Sequence, residues 1–170
     1  WLATMYGGRL KFETPMLFSI GLVSMFTIGG LSGVSHAFAP ADTQQTDTYY
    51  IVAHFHYVLF GGAVLGLFSG IYFWYPKMFG RMMNETLGKL HFWITILAFN
   101  AIFIPLFITG VAGDHRRIYS YRLFPELAKP ELQDLRVFAT YALVVMLLAQ
   151  MLFLFNFFYS LAKGKKASRN

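Results

Sequence analysis

Four long, continuously apolar segments occupy most of the chain, and they limit the folds that it can adopt. A helix needs about 20 residues to cross a bilayer core of about 30 Å, because each residue advances it by about 1.5 Å. Segments of that length cover residues 16–37, 48–75, 85–110 and 135–162. Transmembrane β-strands would be shorter and would alternate in polarity. The sequence therefore predicts an all-α membrane protein with about four transmembrane helices, forming one transmembrane unit over residues 1–170.

The composition supports this prediction and excludes other classes. Hydrophobic residues make up 56% of the chain and charged residues only 13%, which is too apolar for a typical soluble domain. The chain has no cysteine, so it offers neither disulfide bonds nor thiolate metal ligands. Its net charge of +6 needs no nucleic-acid partner, because basic loops on one side of a membrane account for most of it.

The loops indicate an orientation. If the four helices alternate in direction, the N-terminal loop, the loop after the second helix and the C-terminal tail share one side. These regions hold most of the lysines and arginines, so that side is expected to face the cytoplasm or the mitochondrial matrix. The first residues, "WLATMYGG", have the character of a helix already under way, so we expect a fragment or one half of a split protein.

Local signals mark the ends of the predicted helices. Thr14 and Pro15 are expected to cap and open the first helix. Pro76 is expected to follow the second helix, and Asn84 to cap the third. These residues place the helix ends close to where the apolar segments end.

Glycines recur at regular spacing in the first two predicted helices. Gly62, Gly66 and Gly70 occupy every fourth position of the second helix, and Gly29 and Gly33 have the same spacing in the first. Small residues at this spacing leave room for a close contact along one helix face. Two interpretations stay open: the face packs against another helix, or it makes room for a flat ligand such as a porphyrin.

Two histidines lie two residues apart in the second helix, within "VAHFHYVL" (residues 52–59). Each residue turns a helix by about 100°, so His54 and His56 point in directions about 200° apart. One helix binds a single metal through two histidines when they are three or four residues apart, as in H-E-x-x-H. If both histidines are ligands, they therefore serve two separate centres, with Phe55 between them.

The alternative is that each histidine hydrogen-bonds a neighbouring helix. Two histidines on opposite faces must both be satisfied in hydrocarbon, where an unpaired polar group is strongly unfavourable. Imidazole is a common axial ligand of haem iron, and a helix between two haems would satisfy both rings. Arg116 and Arg117, beyond the third helix, either bind carboxylates such as haem propionates or are solvated surface residues.

Four stretches resemble a known family. "DTYYIVAHFHYVL" (residues 47–59) is similar to the haem-binding helix of subunit I of haem-copper oxidases, the cytochrome c oxidase type. "WLATMYGG", "FTIGGLSGV" and "HRRIYSY" resemble further blocks of that subunit, in the same order and at matching separations. The resemblance covers essentially the whole chain. It implies the C-terminal third of a twelve-helix subunit I, from the end of helix 8 through helix 12.

The resemblance implies roles for the residues of the second helix. His54 would be the proximal ligand of the high-spin haem iron, at which oxygen is reduced. His56 would be one axial ligand of the low-spin haem iron. Phe55 would lie on the short electron path between the two haems.

It also implies roles for charged residues near one end of the helices. Arg116 and Arg117 match the pair that binds the haem propionates. Asp42 and Asp47 match acidic positions near the propionates and the neighbouring magnesium site. The family usually has a histidine directly before the latter aspartate, so Thr46 weakens the expected magnesium site.

The remaining histidines are given other roles. His36 and His91 are interpreted as structural, and the family pattern has a histidine only at the second of these positions. His115 is interpreted as a surface or propionate-shell residue rather than a metal ligand. Asp114 and His115 both depart from the common family pattern.

The resemblance implies that much of the catalytic centre lies outside this chain. The three copper-binding histidines and the second ligand of the low-spin haem come from upstream helices, so the chain alone would not reduce oxygen. The expected cofactors are two a-type haems, a copper centre ligated elsewhere and a magnesium ion. The expected partners are the N-terminal portion of subunit I, oxidase subunits II and III, cytochrome c or quinol as electron donor, and membrane lipid.

The expected function is that of part of the catalytic subunit of a terminal respiratory oxidase. Electrons would pass from the low-spin haem at His56 to the high-spin haem at His54, where oxygen is reduced to water with proton pumping. The membrane would be the bacterial plasma membrane or the mitochondrial inner membrane. The alternatives are a nitric oxide reductase or quinol oxidase relative, and a non-catalytic membrane scaffold.

Overall fold

The computed structural model describes residues 1–167, apart from the side chain of Arg122, and this part of the chain is mainly helical. The helices are α1 (Leu2–Met5), α2 (Thr14–Ala37), α3 (Ala39–Gln45), α4 (Tyr49–Val58), α5 (Leu65–Phe79), α6 (Glu85–Val111) and α7 (Pro130–Lys163). A π-helical segment, Leu59–Val64, joins α4 to α5 in one continuous span, Tyr49–Phe79. Two short 3₁₀ turns, Tyr121–Leu123 and Pro125–Leu127, lie in the loop before α7.

Four of these elements are long and apolar enough to cross a membrane: α2, the span Tyr49–Phe79, α6 and α7. This confirms the predicted all-α fold with four transmembrane helices. The fourth helix begins at Pro130, five residues before the predicted start. Its first turn contains polar and charged residues, so the hydropathy of the sequence places the boundary too late.

The predicted end of the second helix is wrong. Pro76 lies inside α5 rather than after it. A proline in a helix loses its own i→i−4 hydrogen bond and crowds the carbonyl of residue i−4, but the residues after it can still hydrogen-bond back, so the helix can continue for another turn. The stop comes at Gly80, which adopts a left-handed φ of 66° and donates its N–H to the Pro76 carbonyl over 2.9 Å.

The starts of α2 and α6 differ in how they are capped. Thr14 is the first residue of α2, and Glu13 rather than Thr14 occupies the cap position. Asn84 caps α6 as predicted, because its Oδ1 accepts a hydrogen bond of 3.1 Å from the backbone N–H of Leu87.

The span Tyr49–Phe79 is the centre of the bundle. Its three segments pack on α2 along their whole length, and α4 also packs on α6. Helix α7 packs mainly on α6. The core between these helices is rich in aromatic side chains, and the fully buried ones are Phe18, Tyr57, Tyr75 and Phe99. Helix α4 therefore has a different neighbour on each flank, which decides what its two histidines face.

The loops meet in two groups at opposite ends of the bundle. At one end an isolated β-bridge pairs Thr48 with His115, so the segment before α4 lies against the segment after α6. At the other end a bridge pairs Arg81 with Lys166. Four alternating helices produce this grouping. The candidate site residues Asp42, Asp47, Arg116 and Arg117 all lie at the first end.

Glycines of the central span allow it to approach α2 closely. A Cβ atom on Gly61 would lie 2.8 Å from Cβ of Met25, and one on Gly62 would lie 3.0 Å from the Phe26 ring. A Cβ on Gly66 would lie 2.9 Å from Leu22. Gly62 and Gly66 therefore serve packing on α2, in agreement with the first interpretation of their spacing, whereas a Cβ on Gly70 would meet only Trp74 of its own span.

Candidate functional site

His54 faces α2, and one edge of its ring is fixed there. Its Nδ1 lies 3.0 Å from the carbonyl oxygen of Gly29 and 2.8 Å from Oγ of Ser32. The Ser32 hydroxyl also contacts the Gly29 carbonyl over 2.8 Å. A carbonyl oxygen can only accept a hydrogen bond, so we assign the proton to Nδ1. Nε2 then carries the lone pair that a metal requires.

Gly33 provides the room for the His54 ring. A Cβ atom at this position would lie 2.9 Å from Cε1 of His54, which is closer than such atoms approach in proteins. Any side chain larger than hydrogen would therefore displace the imidazole. Gly30, in the same helix, has no atom within 4 Å of its Cβ position, so the requirement is specific to Gly33.

His56 faces the opposite flank, towards α6. Its Nδ1 lies 2.7 Å from the carbonyl oxygen of Val52, one turn earlier in the same helix. This contact again places the proton on Nδ1 and the lone pair on Nε2. The ring stacks on Phe103 of α6 at 4.4 Å between centroids and on Phe55 at 4.5 Å.

The two histidines lie on opposite flanks of the central span. His54 contacts α2 and His56 contacts α6, as a two-residue spacing on a helix requires. Both are half-buried, and each directs Nδ1 to a backbone carbonyl. Among residues 1–167 no three histidine, cysteine or acidic side chains form a group that could hold a metal ion. Each histidine can thus supply one ligand, and any further ligands come from elsewhere.

Arg116 is engaged with Asp47. Its Nε and Nη2 donate to Oδ1 of Asp47 over 2.9 and 2.7 Å, and the backbone N–H of Arg116 donates to the Asp47 carbonyl over 2.9 Å. These hydrogen bonds, followed by the positive charge of Arg116, hold the pKa of Asp47 below its ordinary value. The Nη1 amino group of Arg116 takes no part in these bonds and can donate to another carboxylate.

The backbone is unusual on both sides of this ion pair. Asp47 has a φ of 58° and Arg117 a φ of 70°, and they are the non-glycine residues with positive φ in the described chain. The left-handed region is unfavourable for side chains of this kind and is found where the surrounding structure imposes it. Here the paired loops impose it. The side chain of Arg117 is exposed next to the ion pair.

The described residues around Asp47 offer a magnesium ion a single carboxylate. Its Oδ1 is occupied by Arg116, and no second carboxylate or histidine of the described residues joins it in a group of ligands. Magnesium in proteins prefers oxygen ligands in octahedral geometry. In this structure Asp47 is the partner of Arg116 through Oδ1, and it would supply such an ion with one ligand at most.

Asp42 lies in the first turn of α3, close to His36. Its Oδ1 is 3.7 Å from Nδ1 of His36, and its side chain is half-exposed. The ring of His36 contacts the ring of His54 with centroids 4.8 Å apart. The structure thus connects Asp42 to the surroundings of His54, a connection that the sequence analysis missed.

A buried ion pair at the same end was also missed. Asp114 is completely buried, and its Oδ2 accepts a hydrogen bond of 2.8 Å from Nε of Arg136 in α7. The carbonyl of Asp114 accepts from the backbone N–H of Tyr49 over 2.9 Å. Arg136 also donates to the carbonyl of Leu127 over 2.9 Å. This pair therefore connects the starts of α4 and α7 with the end of α6.

Tyr121 covers the pair from the loop before α7. The guanidinium of Arg136 lies 3.9 Å from the centre of its ring. Burial raises the pKa of Tyr121 to about 12, and the nearby Asp114 carboxylate adds to this effect. Tyr121 is therefore neutral at physiological pH.

The other two histidines differ in environment. His91 is completely buried, lies 3.2 Å from the Tyr72 hydroxyl and packs against Phe18, Phe68 and Phe153. His115 has an exposed side chain, and its contact with Thr48 is a backbone bridge. Neither meets a second candidate ligand among the described residues.

Comparison with known proteins gives matches over most of the chain. The family model described as cytochrome C and quinol oxidase polypeptide I matches residues 1–151. Cytochrome c oxidase subunit 1 of Synechocystis sp. is 46% identical over 170 residues, which is 100% of this chain and 30% of that protein. Quinol oxidase subunit 1 of Bacillus subtilis is 51% identical over 121 residues, 71% of this chain and 19% of that protein.

A solved structure supports the same fold. A chain from the cryo-EM structure of a haem-copper terminal oxidase dimer aligns with a TM-score of 0.79 and 20% sequence identity. The alignment covers 95% of this chain and 29% of that chain. The chain thus spans about 30% of the length of the curated relatives that it matches along its whole length.

Proposed function

The chain belongs to the cytochrome c and quinol oxidase polypeptide I family, and from this premise we propose that it forms part of the catalytic subunit of a terminal respiratory oxidase. In this proposal His54 is the proximal ligand of a high-spin haem iron, and His56 is an axial ligand of a low-spin haem iron. The observation that carries the proposal is the arrangement of the two histidines. They lie on opposite flanks of one helix, each with Nδ1 held by a carbonyl and Nε2 left to ligate.

The residues around the histidines fit haem groups. Gly33 leaves the space that the His54 ring occupies, which a Cβ atom at this position would obstruct. The His56 ring stacks on both Phe103 and Phe55. When bound, the two haems supply reversible one-electron transfer and, at the high-spin iron, oxygen binding. The protein sets the direction of each imidazole through the carbonyl at its Nδ1. Phe55 lies beside His56 and separates it in sequence from His54, so we propose it on the electron path between the haems.

The charged residues at the end of the bundle are proposed to hold the haem propionates. Arg116 is fixed by Asp47 and keeps one amino group free, and the exposed Arg117 follows it. Guanidinium groups bind carboxylates through paired hydrogen bonds and stabilise their negative charge. Asp42, close to His36, is proposed to lie near the propionates.

The proposal requires the rest of the subunit. The copper ligands and the second ligand of the low-spin haem are expected from the N-terminal portion of subunit I, and subunits II and III complete the complex. We propose that reduction of oxygen to water and proton pumping occur only in that complex, in a bacterial plasma membrane or the mitochondrial inner membrane, with a-type haems. Because relatives of both kinds match this chain, either cytochrome c or quinol can be the donor.

Two other functions remain as alternatives. A nitric oxide reductase relative would keep the two haem ligands but reduce a different gas. A non-catalytic scaffold would keep the helices and bind no haem. The geometry of His54 and His56 favours the redox functions, because a scaffold needs neither free Nε2 atom.

A haem assay of the assembled complex tests the proposal. The complex would be purified through a tag on this chain, and its haems counted as pyridine haemochromes. We expect two haems per copy of the chain and oxygen consumption with a reduced donor. A complex without haem would contradict every redox function and favour the scaffold. Comparing reduced cytochrome c with reduced quinol in the same preparation would identify the donor.

A further inference from the structure

His36 lies in the last turn of α2, in contact with the ring of His54. The two ring centroids are 4.8 Å apart at an interplanar angle of 65°, and the Tyr50 ring contacts His36 at 5.4 Å. The His54 ring therefore has the carbonyl of Gly29 and the hydroxyl of Ser32 at Nδ1, and the ring of His36 beside it. Nδ1 of His54 is already hydrogen-bonded without His36, so the contact with the His36 ring is an additional one.

An imidazole is an unusual choice for this contact. Both ring nitrogens of His36 are buried, and neither has a hydrogen-bond partner among residues 1–167. Buried polar groups are almost always paired, and leaving one unpaired is unfavourable. Leucine or phenylalanine would fill the same space without polar atoms. The histidine therefore indicates a polar partner close by.

Asp42 is in position to be that partner. Its Oδ1 lies 3.7 Å from Nδ1 of His36, somewhat beyond the length of a hydrogen bond. Helix α3, which carries Asp42, is tied to α2 by a hydrogen bond of 3.1 Å from Ser35 to Gln45. A small movement of the half-exposed Asp42 side chain would complete the contact. Nδ1 of His36 would then donate to the carboxylate, and the lone pair would lie on Nε2.

We propose that His36 and Asp42 form a pair that positions the ring of His54. The carboxylate fixes the His36 ring, and the His36 ring limits rotation of His54 about its Cβ–Cγ bond. The plane of the proposed haem ligand is then held from α3 as well as from α2. His36 acts through His54 and does not itself touch the haem iron. This inference rests on the proposed function, because it assigns a consequence to the orientation of a haem ligand.

Resonance Raman spectroscopy of the reduced, assembled oxidase measures this orientation through the iron–histidine stretching band of the high-spin haem. His36→Phe keeps an aromatic ring and removes both nitrogens, and Asp42→Leu removes the acceptor. We expect both variants to shift and broaden the band. The double variant should show no further shift, because the two residues act as one unit. Asp42→Asn keeps an acceptor oxygen and should restore the wild-type band.

His115→Phe is the matched control, because it makes the same substitution at an exposed histidine at the same end of the bundle. It should leave the band unchanged. An unchanged band in His36→Phe and Asp42→Leu, in complexes that retain both haems, would overturn the inference and leave ligation by His54 intact. A wild-type complex with no iron–histidine band would overturn the proposed function as well. If His36→Phe does not assemble, Asp42→Leu and Asp42→Asn test the inference on their own. The Asp42 side chain is half-exposed, so we expect both variants to assemble.

Discussion

At the scale of single residues, Asp114 is a buried acidic side chain that depends on a charged partner. Its carboxylate is completely buried, and Arg136 is its charged partner, so removing either residue leaves the other as an uncompensated charge. Breaking a buried ion pair in this way destabilises proteins far more than losing a surface pair does. The pair also connects three helices near Asp47 and Arg116. Its loss should therefore affect both stability and the site.

We predict that Arg136→Gln lowers the stability of the assembled complex by about 3 to 5 kcal/mol, because Asp114 is left buried without a counter-charge. A thermal unfolding experiment, monitored by the loss of haem absorbance, would measure the effect. Asp134→Asn is the control, since this residue is exposed on the same helix and should change stability by less than about 0.5 kcal/mol. Equal stability of the two variants would show that the pair contributes little.

A second prediction at this scale concerns Arg117. If its guanidinium lies beside a haem propionate, replacing it by glutamine removes a positive charge that favours the reduced haem. The midpoint potential of at least one haem should fall in Arg117→Gln. Redox titration of the optical spectrum would measure it. Unchanged midpoint potentials of both haems would return Arg117 to the role of a surface residue.

The Asp47–Arg116 pair leads to a prediction about the binding of divalent metals. Arg116 occupies Oδ1 of Asp47, and the residue before Asp47 is Thr46 instead of the family's histidine. We therefore expect no tightly bound manganese at Asp47 in oxidase from cells grown with that metal. Electron paramagnetic resonance of the purified oxidase would detect bound Mn²⁺. A stoichiometric signal that disappears in Asp47→Ala would show that a metal site exists despite the arginine.

The sequence predicts some features of these residues and not others. The opposite directions of His54 and His56 follow from helix geometry alone, so they could be predicted from spacing. The partners of His54 could not, because Gly29 and Ser32 meet it only in one register of α2 against α4. The same holds for Asp114 and Arg136, which are 22 residues apart and pair only because α6 and α7 are adjacent.

At the scale of helices, the contact between α2 and α4 depends on glycine at particular positions. Gly33 borders the His54 ring, and a Cβ atom on Gly29 would lie 3.0 Å from Tyr57 and Val58. Gly30 lies between them in sequence and faces open space. The three glycines are equivalent in helix propensity but differ in what surrounds them.

We therefore predict different effects for alanine at two neighbouring positions. Gly33→Ala should displace the His54 imidazole and shift or weaken the absorption of the high-spin haem. Gly30→Ala should leave the spectrum unchanged, because alanine favours the helix and meets no atom there. Optical spectra of the two assembled variants would distinguish them. Identical spectra would show that the His54 ring is not confined as described.

The four spans themselves could be predicted because hydropathy and length determine them. The π-helical segment Leu59–Val64 could not, because its wider turn arises where Gly61 and Gly62 meet Met25 and Phe26 of α2. Helix α3 was also missed, since a seven-residue helix outside the apolar segments leaves no hydropathy signal. Pro76 misled the prediction because proline disfavours a helix without ending it at once.

In the whole molecule, the central span Tyr49–Phe79 carries the two histidines on opposite flanks. One flank presents His54 towards α2, and the other presents His56 beside α6. The described residues supply one imidazole to each side and no complete set of metal ligands. In the proposed function, the chain would therefore complete two haem sites only together with the rest of the subunit.

The measurement that tests this account most directly is the carbon monoxide difference spectrum of two variants of the assembled oxidase. Carbon monoxide binds only the high-spin haem, so His54→Ala should lose the difference signal and keep the low-spin absorption. His56→Ala should lose the low-spin absorption and keep a carbon monoxide signal. Identical losses in the two variants, in complexes that still assemble, would contradict the assignment of the two histidines to separate haems.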